Sequence, residues 1–277
     1  MKRIAALLLA LSVLLLLGAG SARHAADTFQ FAVAGDFQPP RDDENYRPVS
    51  QRIIAAIAAS EAEFVVLVGD LVTVPQPTPE KARAAWRRFD KLIAPLRAAH
   101  KRVYAVPGNH DVEHPALAIG FDERFGSRHR VFVEHDTVFL LLDSEADGQD
   151  YRRWDLGAAQ WQWLRARPWR KLTDDPQPLL FAFLHRPVFR SEIMKLDPTG
   201  KYGQDKPELA RELDEQNTAA VFSGHEHLFQ RKVIRDISFF TTGGGGGHLL
   251  PTGYYHFLLV TVDPAKKEWR VDVKKVR

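Results

Sequence analysis

Two patterns of hydrophobic residues take turns along this chain: short continuous apolar runs and longer segments with apolar residues at helical spacing. This succession predicts an α/β fold. Short, continuous apolar runs such as Phe29–Ala34 and Phe64–Val68 are typical of strands that are buried on both faces. Between them, segments such as Glu80–Ala99 repeat apolar residues at helical spacing. From residue 229 onward, short strands follow one another directly, which is typical of an antiparallel meander. We therefore predict βαβ units followed by a meander, arranged as a mixed sheet or as two packed sheets.

The same pattern gives approximate bounds for each element. No stretch between residues 36 and 227 is long enough and poor enough in apolar residues to be a linker, so we predict one domain. The predicted helices are Val49–Ser60, Glu80–Ala99, Ala158–Arg167 and Pro207–Gln216. The predicted strands are Phe29–Ala34, Phe64–Val68, Val103–Val106, Val131–Val133, Val138–Leu142, Leu179–Leu184, Ala219–Ser223, Gln230–Ile234, Ile237–Thr241, His256–Val262 and Trp269–Val273.

The first 22 residues have the pattern of a secretory signal peptide. Lys2 and Arg3 precede the apolar run Ile4–Leu17, and the small residues Gly20–Ala22 offer a cleavage site. We therefore predict a signal peptide over 1–22 and a single domain over 23–277. This predicts a periplasmic or secreted protein with no stable membrane insertion after cleavage. An uncleaved N-terminal anchor is the alternative.

Composition and charge exclude several classes of function. The chain has no cysteine, so it can form neither a disulfide, nor a thiolate metal site, nor a thiol nucleophile. Its 38 basic and 35 acidic residues give a net charge of +3, of which Lys2 and Arg3 in the predicted signal peptide contribute two. Because the mature chain is then nearly neutral, we do not expect a nucleic acid as its partner.

Five apolar runs end at residues that can bind a metal ion. In α/β sheets, ligands bind in the crevice beyond the carboxyl ends of the strands, so these residues are expected at one edge. Oxygen and imidazole ligands without sulfur suit Mn, Fe or Zn. The sequence therefore predicts a metal site. Its candidate ligands are Asp36, Asp70, Asn109, His185, His225 and His227.

The same residues carry a resemblance to the calcineurin-like metallophosphoesterases. The motifs of that family, D-x-H, G-D, G-N-H-[DE], H and G-H-x-H, are matched in order. The matching segments are Asp36 to Gln38, Gly69-Asp70, Gly108 to Asp111, His185, and Gly224 to His227. This resemblance implies a four-layer α/β/β/α sandwich with mixed sheets and a metal site at the C-terminal ends of the strands. It also implies an enzyme with two divalent or trivalent metal ions, Mn, Fe or Zn.

The resemblance further implies a role for each site residue. The first metal is expected to bind Asp36, Asp70 and His227, and the second Asp70, Asn109, His185 and His225, so that Asp70 bridges them. His110 is expected to contact the phosphate and to help protonate the leaving oxygen, with Asp111 orienting its ring. The implied reaction is hydrolysis of a small phosphomonoester or phosphodiester by a metal-bound hydroxide. The sequence does not predict the oligomeric state.

Gln38 departs from the family pattern, which has histidine at this position. A glutamine can still offer its carbonyl oxygen to the first metal, but this ligand is neutral and harder than imidazole. Two interpretations follow. One is an active enzyme with a loosely held first metal or a preference for a harder ion. The other is a non-catalytic ligand- or partner-binding protein that retains the fold with a degraded first metal site.

Several further residues have alternative roles. Arg186 and Arg190 could bind a substrate phosphate or lie on the surface, and His248 could lie at the site or in a flexible hairpin. The tryptophans at helical spacing are expected in the core; they are Trp154, Trp161, Trp163 and Trp169. The substrate is expected to be chosen by loops at Pro39–Pro48, Thr73–Glu80, Asp111–Ala116 and Phe189–Lys206.

Overall fold

The structure is a computed structural model that describes residues 28–40, 44–147, 154–197 and 203–277. The predicted signal peptide over 1–22 lies outside the described residues. The strands are β1 (Phe29–Ala34), β2 (Phe64–Leu67), β3 (Arg102–Ala105), β4 (Arg130–Glu134), β5 (Thr137–Leu141), β6 (Leu180–Phe183), β7 (Thr218–Ser223), β8 (Phe229–Ile234), β9 (Ile237–Thr242), β10 (His256–Asp263) and β11 (Glu268–Lys275). The α-helices are α1 (Pro48–Ala58), α2 (Pro79–Leu92), α3 (Ala94–Ala98), α4 (Asn109–Val112), α5 (Pro115–Phe125), α6 (Gly157–Arg165), α7 (Glu192–Lys195) and α8 (Pro207–Glu215), and a short 3₁₀ helix covers Pro168–Lys171.

These strands form two mixed sheets. The first has the order β11-β10-β1-β2-β3, in which β1, β2 and β3 are parallel and β10 runs antiparallel to β1. The second has the order β4-β5-β6-β7-β9-β8, with a parallel centre and an antiparallel hairpin at each edge. In both sheets the parallel strands therefore end at the same edge, where the predicted ligands follow them.

Alternating side chains of the strands separate the molecule into layers. On β1, Phe31 points into the cluster between the two sheets, whereas Ala32 points to the opposite face, under the helices. The cluster between the sheets is rich in aromatic rings, such as Phe139 of β5 and Phe222 of β7. Aromatic side chains bury a large apolar area each, so this layer contributes much of the core.

Helices cover the outer face of each sheet. Trp86 of α2 and Phe121 of α5 pack in the cluster over the first sheet. Leu164 of α6 and Leu213 of α8 pack in the cluster over the second sheet. This arrangement confirms the predicted four-layer α/β/β/α sandwich. Across the described residues, no helix is long and apolar enough to cross a membrane.

Two helical segments differ from the prediction, for local reasons. The helix predicted over Glu80–Ala99 is interrupted at Ile93, because Pro95 in the first turn of α3 cannot continue the hydrogen bonding of α2. The end of the predicted loop Asp111–Ala116 is the start of α5, where the His114 side chain accepts a hydrogen bond from the Ala116 amide. Both differences arise at prolines, which are favoured in the first helical turn.

Candidate metal centre

The predicted ligands meet where strands of both sheets end. Asp36 and Asp70 follow β1 and β2 of the first sheet, and His185 and His225 follow β6 and β7 of the second. The two sheets are joined at this edge by the His185 ring, whose Nδ1 lies 2.8 Å from the Val68 carbonyl oxygen. The edge is therefore continuous across both sheets.

Three of these residues have left-handed backbone angles. The φ angles are 61° at Asp36, 54° at Asp70 and 68° at His225. Such conformations cost roughly 1–3 kcal/mol each for residues other than glycine and are concentrated at functional sites. The backbone is therefore locally strained at the three positions from which these side chains point toward a common centre.

The first ligand group contains Asp70, His185 and His225. Nε2 of His185 lies 3.4 Å from Asp70 Oδ1, 3.2 Å from Asn109 Oδ1 and 3.1 Å from His225 Nδ1. Three electron-rich atoms around one ring nitrogen define a place that a cation would stabilise. Asn109 at the start of α4 thus lies where the resemblance implied.

The second ligand group contains Asp36, Asp70 and His227. Nε2 of His227 lies 3.3 Å from Asp36 Oδ1, and the Gln38 amide nitrogen lies 3.2 Å from Asp70 Oδ2 and 3.1 Å from His227 Nε2. In each group the candidate ligand atoms lie within 4.8 Å of one another. Because Asp70 belongs to both groups, the structure brings together the side chains that the sequence predicted around a bridging carboxylate.

The electrostatics of the first group favour a positive charge. Burial alone would lower the pKa of His185, but Asp70 and Asp36 raise it to about 10. Burial also acts to raise the pKa of Asp70, yet His185 and His110 lower it well below its usual range. The pKa of His225 is lowered by burial and by the charge of Arg186, which keeps it in the neutral form that binds metals.

The residues present fit metal ions. A backbone carbonyl can only accept hydrogen bonds, so Nδ1 of His185 donates to Val68 and Nδ1 of His227 donates to His248. When each ring is in its neutral form, these contacts leave its Nε2 with a lone pair that faces the carboxylates. The Gln38 carbonyl oxygen is buried, and among the described residues it has no hydrogen-bond partner.

Glycines allow the close approach of the ligand segments. A Cβ atom at Gly108 would lie 2.3 Å from Asp70 Oδ1, and one at Gly224 would lie 2.4 Å from Asp36 Oδ2. Neither distance is compatible with a side chain. The glycines of the predicted G-N-H-D and G-H-x-H motifs are therefore required by packing against the two carboxylates.

The glycine tract at Gly243–Gly247 lies against the same centre. The amides of Gly245 and Gly247 donate to the carbonyl oxygens of Gly35 and Asp36, both at 2.8 Å. The tract leads to His248, whose carbonyl oxygen contacts the His227 ring. His248 thus contacts the site through its main-chain carbonyl, while its side chain is exposed.

His110 lies beside Asp70, the carboxylate that both ligand groups share, whereas Asp111 contacts main-chain amides. Nε2 of His110 is 4.0 Å from Asp70 Oδ2. The carboxylate of Asp111 is wholly buried and accepts hydrogen bonds from the amides of Gly108, Leu71 and Val72 at 2.8–3.1 Å. Burial and the charge of Asp70 raise the pKa of Asp111 to about 7. Asp111 therefore joins two loops, and its expected role in orienting His110 stays a prediction.

Both candidate phosphate-binding arginines have carboxylate partners. Arg186 is 2% exposed, and its Nε and Nη2 donate to the two oxygens of Glu145 at 2.8 and 2.9 Å. Arg190 contacts Asp205 at 3.3 Å. Arg186 is therefore a buried cation beside the ligands rather than a surface group. Trp154 and Trp169 are buried in the outer core of the second sheet, and Trp161 and Trp163 pack against it, as predicted.

A family model described as calcineurin-like phosphoesterase matches residues 29–229. This match covers most of the chain, so the chain belongs to the calcineurin-like phosphoesterase family. Among curated proteins it is similar to the 3',5'-cyclic adenosine monophosphate phosphodiesterase CpdA of Escherichia coli K12, with 31% identity over 137 residues. That match covers 49% of this chain and 44% of the relative, so the chain spans less than half of the relative's length.

Solved structures share the fold at low sequence identity. Purple acid phosphatase PPD1 from yellow lupin has a TM-score of 0.68 and 13% identity, over 90% of this chain and 52% of that one. A dimetal phosphatase from Danio rerio has a TM-score of 0.59 and 17% identity, over 89% of this chain and 96% of that one. GAP50, described as the anchor in the inner membrane complex of Plasmodium, has a TM-score of 0.61 and 13% identity, over 90% of this chain and 89% of that one.

Proposed function

We propose that this chain is a metal-dependent phosphoesterase that hydrolyses a small phosphate ester at a dinuclear centre. The observation that carries the proposal is the position of Asp70, which belongs to two separate groups of candidate ligands. A carboxylate shared in this way is the arrangement that two-metal hydrolysis requires. The family membership and the phosphodiesterase relative support the same class of reaction.

Each metal ion has a distinct set of candidate ligands. Asp36, Gln38 and His227 would hold the first ion and Asn109, His185 and His225 the second, with Asp70 shared. When bound, the ions supply positive charge that binds the phosphate oxygens and lowers the pKa of water. The donor set contains no sulfur and includes amide oxygens, so Mn, Fe and Zn remain the candidate metals.

His110 is the candidate proton donor of this site. Its ring lies next to the shared carboxylate, and its main-chain amide donates to Asp70 Oδ1 at 3.0 Å. The ring is 17% exposed, so it can meet a bound substrate at one face. A histidine in this position can transfer a proton to the leaving oxygen, which is typically worth 10²–10⁴-fold in rate.

The choice between monoester and diester belongs to the proposal. The curated relative acts on a cyclic phosphodiester, and the match to it covers half of this chain. The two phosphatases among the solved structures share the fold only, because their sequence identities are 13% and 17%. We therefore propose a small phosphate ester and leave the choice to a direct comparison of rates.

The test measures initial rates on p-nitrophenyl phosphate and on bis(p-nitrophenyl) phosphate, with Mn²⁺ added to metal-stripped protein. The Asp70→Asn variant should lose nearly all turnover, because the substitution removes the shared negative charge. Asp263→Asn is the matched control, since Asp263 pairs with Lys266 at the opposite end of β10. Metal-dependent turnover in wild type and control, lost in Asp70→Asn, is the expected result. Equal turnover in all three proteins would contradict the proposal.

A further inference from the structure

We infer that Glu113 is the positioning residue for His110, holding its ring so that Nε2 faces the oxygen that leaves phosphorus. The inference rests on the proposed function, because it concerns the proton donor of that reaction. Glu113 belongs to none of the family motifs that the sequence matched. It follows α4 directly, three residues after His110.

Glu113 places a carboxylate beside Nδ1 of the His110 ring, on the side away from Asp70. Oε2 of Glu113 lies 3.5 Å from Nδ1, and Oδ2 of Asp70 lies 4.0 Å from Nε2. The ring therefore lies between the shared metal ligand on one side and Glu113 on the other. Residues three apart on a helix lie on the same face, so this contact is favoured by the backbone of α4 itself.

The segment that carries both side chains is fixed at each end. At its start, the His110 amide donates to Asp70, and the buried carboxylate of the next residue, Asp111, accepts three main-chain hydrogen bonds. After it, His114 caps α5 through the Ala116 amide. The side chains of His110 and Glu113 are 17% and 20% exposed. A half-buried pair on a fixed segment keeps its relative orientation.

Other nearby carboxylates are already engaged. Asp70 belongs to both candidate ligand groups. Both oxygens of Asp111 accept hydrogen bonds from main-chain amides. Among the described residues, Glu113 is an acidic side chain whose position suits Nδ1 of His110.

In the proposed step, water first loses a proton to the solvent, and the oxygen of the resulting hydroxide bonds to phosphorus. The bond from phosphorus to the leaving oxygen breaks with its electron pair on that oxygen. The Nε2–H bond of His110 breaks, and the proton bonds to the leaving oxygen. His110 changes from the imidazolium to the neutral ring with its proton on Nδ1. Glu113 accepts a hydrogen bond from Nδ1–H before and after transfer, so it fixes both the orientation and the tautomer.

The 3.5 Å separation is long for a hydrogen bond and suits a contact that shortens in the reaction. Catalytic hydrogen bonds are often long without substrate and tighten in the complex. A carboxylate that orients a histidine in this way contributes to rate without touching the substrate. We therefore expect the effect of Glu113 to appear in kcat, and only through His110.

The kinetic test compares an ester with a good leaving group and one with a poor leaving group. The variants are Glu113→Gln, His110→Ala and the double variant, with Glu123→Gln as a control that removes one negative charge from the exposed side of α5. Glu113→Gln should lower kcat about tenfold on an alkyl ester and less than about twofold on the p-nitrophenyl ester, because only the poor leaving group needs a proton. The double variant should match His110→Ala, and KM and metal content should stay unchanged.

Some kinetic outcomes would overturn the inference. Equal losses on both esters, additive losses in the double variant, or loss of metal in Glu113→Gln would mean that Glu113 has a structural role. Failure of the proposed function is distinguishable, because wild type and the Glu123→Gln control would then also lack metal-dependent turnover.

A readout without turnover tests the same inference. Nitrogen-15 NMR of the ring, assigned by comparison with His110→Ala, should show neutral His110 protonated on Nδ1 in the wild type. In Glu113→Gln the ring should shift toward a mixture of tautomers, while Glu123→Gln resembles the wild type. Protonation on Nε2 in the wild type, or the same spectrum in Glu113→Gln, would overturn the inference.

Discussion

Gln38 is the residue that distinguishes this metal centre most clearly from the family pattern. Its amide nitrogen lies between Asp70 and His227, and its carbonyl oxygen is buried beside Gly247. An amide side chain can turn about its last bond, which would present the oxygen to the first metal. Gln38 therefore fits a ligand that is neutral and harder than histidine.

Replacing Gln38 with histidine should change which metal the first site prefers. An imidazole at this position should raise Zn²⁺ affinity of the first site by roughly 10–100-fold, while Mn²⁺ affinity changes less. Competitive metal titration followed by calorimetry measures both, with Gln38→Ala as the control for loss of any ligand. Unchanged Zn²⁺ affinity in Gln38→His would mean that this side chain does not face the first metal.

The same variant separates the two interpretations of the chain. In an active enzyme, Gln38→His should change turnover with Mn²⁺ by only a few fold. A rise from near zero would instead favour the non-catalytic binding protein. The likeness to GAP50, described as an anchor, is a likeness of fold and leaves this choice to the measurement.

Whether the role of a single residue can be predicted depends on what determines it. The position of a residue in a strand or loop can be seen in the sequence, whereas its contacts with distant residues cannot. Candidate ligands directly after apolar strands, such as Asp36 and His185, could be predicted because strand ends are visible in the sequence. The roles of Asp111 and Glu113 could not, since both depend on which way a short helix turns its side chains. The role of Glu145 was missed for a different reason, because its partner Arg186 is 41 residues away in the sequence.

At the scale of elements, the glycine tract and β10 form a support behind the second ligand group, which contains Asp36 and His227. His256 at the start of β10 is buried; its Nδ1 lies 2.7 Å from the Tyr254 carbonyl and its Nε2 3.0 Å from Thr242 Oγ1. The His256 amide donates to Gly244 in the tract. Because a carbonyl only accepts, Nδ1 carries a proton, and in the neutral ring Nε2 can accept a hydrogen bond from Thr242 Oγ1.

This buried ring makes stability depend on pH. Burial lowers the pKa of His256 to about 4, against an ordinary value of about 6.5. Between these values the unfolded chain binds a proton that the folded chain does not, so the free energy of unfolding falls as the pH falls from 6.5 to 4. Asp143, whose pKa burial raises to about 6, acts in the opposite direction.

His256→Gln should remove this dependence. Relative to the variant, the wild type should lose about 2–3 kcal/mol of unfolding free energy between pH 7 and pH 4. Urea unfolding of both proteins at several pH values measures the difference, and the contribution of Asp143 cancels because both proteins retain it. A constant difference across the range would contradict the assigned pKa.

Element bounds were predictable where the hydrophobic period was clear and less so at short helices. The strands lie within one or two residues of the predicted bounds, because most are apolar runs, while β8 and β11 contain polar residues as well. Helix α5 was missed although Leu117, Phe121 and Phe125 recur every four residues and are buried. That spacing is the sign that could have identified it, together with Pro115 as a first-turn residue.

At the scale of the whole molecule, the sandwich and its family followed from motif order, whereas the path of substrate entry did not. Topology places every motif at one edge, since the parallel strands of both sheets end there. The loops that choose the substrate have no period and no recognition motif, so their contacts could not be predicted. Sequence reasoning thus identified the centre and left the specificity open.

The location of the protein remains a prediction from residues 1–22. When the full sequence is expressed in a Gram-negative bacterium, we propose that the product appears in the periplasm with its N-terminus after residue 22. Cell fractionation and intact-mass measurement check this, with a variant in which Lys2 and Arg3 become glutamate as the control. Intact chain in the cytoplasm would contradict the predicted signal peptide.

The most direct measurement of the central claim is the number of Mn²⁺ ions bound per chain in wild type and in Asp70→Asn, by equilibrium dialysis. We expect two ions per wild-type chain and weakened binding of both in the variant, because Asp70 belongs to both ligand groups. One ion per wild-type chain, or two ions bound equally well by Asp70→Asn, would contradict a dinuclear centre bridged by this carboxylate.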